Sequence, residues 1–411
     1  MGQTESSDRQ ALYDAVLAAI DRDRDTILHI ADEIHAHPEL AMEERFACDL
    51  LATTMERYDF AVERQSGGVE TAFKARMRGH GDGPAIAFLA EYDALPGLGH
   101  GCGHNLIAGS NLAAAVGLSA VIDKLPGQVM LIGTPAEEAI GGKVLMIEGG
   151  AFDDVDIALS SHHSGDETTI ATEPPQGTCL AVAPFRFEYA GKTAHAASDP
   201  QEGINALNAV IHLFVGLDAL RQHVTSDVRI HGIITDGGKA PNIVPDHAAA
   251  EFYLRAASKE AVAALIQRAI AVAEGAAAMT GARLTITPGI AYDDVRPNYT
   301  LGRLLKSKFA DAGLEERAGA YNRRKQIGPG PYSTDLGNVS RRVPTAAIQF
   351  AISETPIRGH STEVVACSIS ELGRENAIKT GKALALAAVD LLLQPEIVGE
   401  AREELSRSPA S

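Results

Sequence analysis

The stretch Glu91-Tyr-Asp-Ala-Leu-Pro-Gly-Leu-Gly-His-Gly-Cys-Gly-His-Asn105 decides how the chain is read. It follows the apolar run Ala85–Ala90, which has the length and composition of a strand buried in a parallel sheet. Residues 111–124 downstream are alanine-rich and predict a helix. Strand, glycine-rich loop and helix in that order form half of a βαβ unit, and in an open α/β sheet the chemistry gathers beyond the carboxyl ends of the strands. Asp93, His100, Cys102 and His104 on such a loop are a candidate metal site, with glycines letting the backbone turn closely around an ion.

Two more apolar runs end on groups of the same kind. Residues 128–133 lead into Thr134-Pro-Ala-Glu-Glu138 and a short helix over 144–148, and residues 156–161 lead into His162-His163. Parallel neighbours would set the three loops together at one rim of the sheet. Upstream, Leu12, Val16, Ile20, Ile27, Ile30 and Ile34 predict a helix over 8–36, closed by His37-Pro38. A second helix is expected over 43–57, and 69–79 reads as an edge strand or hairpin.

From residue 182 the pattern becomes a half-exposed alternation, Val182-Ala-Pro-Phe-Arg-Phe-Glu-Tyr189. Helices over 205–220 and 259–279, with strands over 228–234, 249–255 and 283–288, complete two helices over four strands. That order suggests a separate α+β domain with an antiparallel sheet. The expected fold class is therefore α/β: a mixed, mostly parallel sheet flanked by helices, from residues 1–181 and 290–394, interrupted by an α+β domain, residues 182–289. The returning part carries the loop 328–335, a strand over 345–351, Arg358-Gly-His360 and a last long helix opened by a capping box, Ser368 to Glu371. Residues 395–411 are expected to be a disordered tail.

The 411 residues are enough for two or three domains, and 45% hydrophobic with 22% charged residues is ordinary for a globular chain. A net charge of −18 argues against nucleic acid or an anionic membrane as the main partner. A small anionic substrate remains compatible, because one local arginine outweighs a distant net charge. The first thirty residues lack an apolar signal region, and no run reaches ~18 uninterrupted apolar residues, the length of a membrane span. Four irregularly spaced cysteines make no disulfide framework, so the expected location is the cytoplasm.

Cys102, His104, Glu138, His162 and His360 together offer soft, borderline and hard donors, a mix that suits zinc, manganese or cobalt better than calcium or magnesium. Of the adjacent Glu137 and Glu138, one can bind an ion while the other reaches a water that the ion acidifies. Asp93 is placed to orient a histidine ligand. In the interrupting domain, Arg255 suits a carboxylate and His195 an oxyanion. Gly97-x-Gly-x-Gly-x-Gly103 lacks the Lys-Ser/Thr end of a phosphate loop, and no G-x-S-x-G elbow is present.

In order, His35-x-His-Pro-Glu-Leu40, Glu91-Tyr-Asp-Ala-Leu-Pro96 with Gly99-His-Gly-Cys-Gly-His-Asn105, Thr134-Pro-Ala-Glu-Glu138 and Gly191-Lys-Thr-Ala-His195 resemble the metallo-aminoacylase and carboxypeptidase family, in its amidohydrolase branch. Asn242-Ile-Val-Pro-Asp246 with Arg255, Ser333-Thr-Asp-Leu-Gly-Asn-Val-Ser340 and Gly359-His360 continue the likeness. The resemblance implies Glu137 as general base, the five donors above as ligands of one or two manganese or zinc ions, and His195, Asn242 and Arg255 as substrate contacts on a lid domain that also dimerises. It implies a homodimer or higher homo-oligomer. The ligand falls on His162 by alignment, with His163 the alternative, and residues 321–332 depart from the usual family pattern. The expected activity is hydrolysis of a non-peptide C–N bond in a small carboxylate-bearing substrate, most simply an N-acyl or N-aroyl amino acid. A 5-nitroanthranilate-type aryl-amine aminohydrolase is the alternative, and a non-catalytic binding protein the remote one.

Overall fold

The computed structural model describes the backbone of residues 2–171, 179–319, 330 and 332–407, and side chains from residue 7 onward. These fall into two compact units: the first lies within Met1–Thr178, Val295–Ile327 and Thr334–Ala410, the second within Cys179–Asp294 and Gly328–Ser333. Apart from Gly330 and Tyr332, the segment 321–332 is outside the described residues.

The chain opens with α1 (Gly2–Ala36) and α2 (Arg45–Arg57), then β1 (Ala61–Arg64), β2 (Phe73–Arg78), β3 (Ala85–Ala90), α3 (His104–Ser119), β4 (Gln128–Gly133), α4 (Gly142–Glu148), β5 (Ile157–His163) and β6 (Thr169–Ile170). The second unit holds β7 (Ala181–Ala190), α5 (Ala206–Leu220), β8 (Arg229–Asp236), β9 (His247–Ala256), α6 (Lys259–Thr280) and β10 (Arg283–Pro288). The chain returns through α7 (Tyr299–Ser307), α8 (Phe309–Ala312), α9 (Leu336–Ser340), β11 (Thr345–Phe350), α10 (Thr362–Cys367), α11 (Glu371–Leu393) and α12 (Pro395–Arg407).

Among the described residues the first unit builds a seven-stranded sheet, ordered β1-β2-β4-β3-β5-β11-β6. The neighbours β4, β3, β5 and β11 are parallel, so the loops after β3, β4 and β5 leave the same rim. Burial on both faces explains the continuous apolar runs. Along β3, Ile86, Phe88 and Ala90 enter one core cluster while Ala85, Ala87 and Leu89 enter another. On the first of these faces α3, buried from His104 to Leu118, packs against α1, α11 and the sheet.

Four expectations are corrected. Residues 69–79 do not form an edge: β2 lies between β4 and β1, and β1 is too short and exposed to signal its presence in the sequence. α3 starts at His104 rather than residue 111, because Gly103 adopts φ 62°, a left-handed conformation that turns the loop directly into the helix. The cap of α11 is Ser370, which accepts from Gly373 N at 3.0 Å, whereas Ser368 Oγ donates back to Val364 O at the end of α10. The expected disordered tail is helix α12 through Arg407. Only Val398 and Ala401 on it are buried, so its sequence pattern is faint, but Glu404 accepts from Tyr299 N and Thr300 N and caps α7.

The second unit is a four-stranded antiparallel sheet, β10-β7-β9-β8, carrying α5 and α6. Asn205 and Ser258 cap the two helices, and Phe187, Phe252, Leu213 and Leu265 share the core. α6 is long and apolar enough to cross a membrane by length and composition. In this fold Val262, Leu265, Ala269, Ala273 and Ala276 lie in the core, while Gln267, Arg268 and Glu274 face out.

Gly133, the last residue of β4, admits no side chain: a Cβ there would lie 2.2 Å from the Phe73 ring and 2.8 Å from the Tyr92 hydroxyl. Gly133→Ala is expected to destabilise the protein by about 1–3 kcal/mol, read from urea or thermal unfolding.

Candidate metal centre

The three strand ends and the loop after β11 converge. Donor atoms of Cys102, His104 and His162 lie within 4.8 Å of one another, as do those of Cys102, Glu138 and His360, and those of His104, Glu137 and Glu138. Cys102 Sγ is 3.6 Å from His162 Nε2, and Glu138 Oε1 is 3.3 Å from His360 Nε2 and 3.8 Å from His104 Nε2. His104 Nε2, Glu138 Oε1 and Glu91 Oε2 are buried without a hydrogen-bond partner. Buried polar atoms left unpaired are costly and rare. Three of them facing one another, beside a thiol and two further imidazoles, fit a divalent transition ion.

His162 and His163 are separated by the pleat of β5. The His162 ring bonds through Nδ1 to His163 O at 2.7 Å, leaving Nε2 toward Cys102. The His163 ring instead lies against Gly103, where a Cβ would come within 2.7 Å of it. That contact is a second reason for glycine before His104.

Neighbouring side chains brace His104, Glu138 and the strand of His162. Asp93 bonds His104 Nδ1 at 2.8 Å through one oxygen and accepts from Glu138 N at 2.9 Å through the other. This directs the His104 Nε2 into the cluster. Ser110 Oγ and Asn111 Nδ2 on α3 reach Ser161 Oγ at 2.6 and 3.0 Å, tying the helix of His104 to the strand of His162.

Burial raises the cost of every charge here. It opposes ionisation of Asp93, yet His104 and the Glu138 N–H hold that carboxyl below its ordinary value. It opposes a charge on His104, which Asp93 and Cys102 nonetheless keep well above the usual imidazole range. Burial pushes the Cys102 thiol up, and burial with the adjacent Glu91 and Glu138 pushes Glu137 well up.

Three participants were not singled out from the sequence. Lys143 Nζ, fully buried on α4, lies 2.7 Å from Glu91 Oε1 and 2.7 Å from Asp335 Oδ1. Burial opposes its charge, but the two carboxylates keep it ionised. A lysine within Gly-Gly-Lys-Val-Leu, amid glycines and apolar residues, was the available signal.

The remaining candidates belong to the second unit. His195 and Asn242 are adjacent there: His195 pairs with Ile243 in an isolated bridge, and Ala196 N donates to Asn242 O at 3.0 Å. His195 Nδ1 accepts from Ala197 N and Ser198 N, which leaves Nε2 as the protonated nitrogen. Arg255 donates to Ser333 Oγ at 2.7 Å and His231 Nε2 at 3.2 Å.

Residues 182–279 match the family model of the M20 peptidase dimerisation domain. The chain is 34% identical to the Xaa-Arg dipeptidase of Mus musculus, over 98% of this chain and 94% of that protein. It is 30% identical to a p-aminobenzoyl-glutamate hydrolase polypeptide of Escherichia coli K12, over 96% of this chain and 95% of that one. Its fold is shared with a dinuclear metal-binding M20 peptidase from Bacillus subtilis, with a TM-score of 0.68 at 23% identity over 91% of this chain and 99% of that one. Fold and relatives define a metallopeptidase-like hydrolase. The chain belongs to the M20 peptidase family.

Asp93→Ala frees the His104 ring and leaves the Glu138 N–H unpaired. Zinc titration of the metal-free protein is expected to show affinity falling by roughly 10- to 100-fold. Burial also pushes Glu44, which bonds Ala136 N and Thr71 Oγ1, up to about 7 from an ordinary value of 4.5. The folded chain holds this proton more tightly than the unfolded one, so the stability it contributes is full below about 4.5 and lost as pH rises through about 7. Denaturant unfolding of the metal-free protein across that window is expected to show a decline with pH that Glu44→Gln makes shallower.

Proposed function

We propose that this chain is a metal-dependent hydrolase of the amide C–N bond in a small carboxylate-bearing substrate, an N-acyl amino acid or a dipeptide. The observation that carries the reading is the pair of donor trios sharing Cys102, with the Glu137 carboxylate within 4.8 Å of His104 and Glu138 donors. Cys102, His104, Glu138, His162 and His360 would hold one or two ions, zinc or manganese by donor chemistry. Such an ion supplies Lewis acidity, which polarises a carbonyl and acidifies water toward pKa ~7.

Glu137 takes the proton of the attacking water and passes it to the leaving nitrogen. A carboxyl whose pKa is raised by burial and like charges is suited to hold that proton between the two transfers. Asp93 keeps His104 in one tautomer. Arg255 is assigned the substrate carboxylate, and His195, with a protonated Nε2, and Asn242 the developing oxyanion. The expected restriction to non-peptide bonds is widened here, because the mouse relative similar over nearly the whole chain is a dipeptidase. The dimerisation-domain match supports a homodimer, and edge strand β8 exposes Ile233 and Ile234.

The test is a panel of N-acyl amino acids, p-aminobenzoyl-glutamate, Xaa-Arg dipeptides and 5-nitroanthranilate on metal-loaded protein, following free amino acid and free ammonia. Amino-acid release is expected, and ammonia release alone would favour the aryl-amine reading. Glu137→Gln is expected to lower kcat by roughly 100- to 10,000-fold with zinc binding retained. Unchanged turnover in that variant would remove Glu137 as the base.

A further inference from the structure

The turn that presents Glu137 and Glu138 is strained and is held from outside the centre. Ala136, fully buried, adopts φ 59°, a left-handed conformation unfavourable for a residue with a Cβ. Its carbonyl accepts from Ile140 N, Gly141 N and Gly142 N, so the whole bend pivots on this residue. Its N–H donates to Glu44 Oε1 at 2.9 Å. Glu44 is fully buried just before α2, and its other oxygen accepts from Thr71 Oγ1 at 3.0 Å. The same segment meets the other side of the centre: Ala94 N donates to Glu39 O at 2.8 Å, and the Glu39 carboxylate accepts from Phe46 N and Ala47 N in the first turn of α2.

We propose that Glu44 is a positioning residue for the catalytic turn: by accepting from Ala136 N, it holds the left-handed bend that aims Glu138 into the donor cluster and Glu137 beside it. Asp93 fixes the turn at Glu138 N, and Glu44 fixes it two residues earlier. With both bonds in place the backbone between them has one register. Without Glu44, Ala136 relaxes toward negative φ, the conformation a Cβ prefers, and both carboxylates swing with it. Glu44 itself touches neither substrate nor ion. The inference rests on the roles of Glu137 and Glu138 proposed above.

The experiment compares Glu44→Ala, Glu44→Gln and the double variant Glu44→Ala/Ala136→Gly. It measures zinc affinity of the metal-free protein by competition with a chromophoric chelator, kcat and KM on the panel's best substrate, and Tm. Glu44→Ala is expected to weaken zinc binding and lower kcat by about tenfold or more, by analogy with lost outer-shell partners. Glu44→Gln keeps an acceptor for Ala136 N and is expected to stay within about threefold of the unsubstituted protein in both. Glycine adopts the left-handed bend without strain, so Ala136→Gly is expected to recover most of the zinc affinity lost in Glu44→Ala. Zinc affinity and kcat unchanged in a folded Glu44→Ala protein, with only Tm lowered, would overturn the proposal. A tenfold loss of zinc affinity in Glu44→Gln would overturn it too, and that measurement stands if the alanine variant does not fold. Glu137→Gln is run alongside: its full activity would fail the functional reading, whereas an inactive Glu137→Gln with an unaffected Glu44→Ala fails this inference alone.

Discussion

Carboxylates crowd the carboxyl rim of the first unit's sheet: Glu44, Glu91, Asp93, Glu137 and Asp335 are buried, and Glu138 nearly so. In a medium of low dielectric, like charges at this spacing cannot all ionise without cations among them. The chain itself supplies Lys143, clamped between Glu91 and Asp335, and the His104 N–H that Asp93 accepts. Even so, burial and then its acidic neighbours push Glu137 up, and Glu138 and Glu91 each keep an oxygen without a hydrogen bond. A divalent cation within the trios would meet that deficit, and the electrostatic imbalance that is costly in the folded chain would then become affinity for metal.

The sheet makes the crowding possible. Parallel pairing of β4, β3 and β5 delivers three loops to one edge, and glycines make room where they pack most tightly. Gly133 leaves room for the Phe73 ring, and Gly103 leaves room for His163 while turning the chain into α3. Three backbone donors on or beside these loops are met by buried carboxylates: Asp93 takes Glu138 N, Glu44 takes Ala136 N and Asp335 takes Lys143 N. The acids thus both build the loops and charge the space between them, which ties the local folding of the rim to its chemistry.

Residues were legible in the sequence to the extent that their signal was local. The strand Ala85–Ala90 could be read from its composition, and Cys102, His104, Glu137 and Glu138 from short motifs that follow apolar runs. Asp93 was legible as an orienting acid, and the structure gives it two partners. Glu44 and Lys143 were not, because each acts through residues far away in the chain: Glu44 bonds Ala136, and Lys143 bonds Glu91 and Asp335. α12 was missed for a related reason, since its few buried positions gain meaning only against α7 and α11, which are distant in sequence or paired with it only in the fold.

By itself the sequence determined the periodicities of strand and helix, the order of a sheet interrupted by an α+β unit, and the kinds of donor available for a metal. These follow from apolar spacing and side-chain chemistry, which are properties of the chain read a few residues at a time. Tertiary structure alone decided that Cys102 serves two donor groups, that His162 rather than His163 faces it, and that a strained alanine is pinned by a glutamate ninety-two residues away. Those outcomes depend on which strands become neighbours and on which buried polar atoms must find partners, and neither is written in any local pattern.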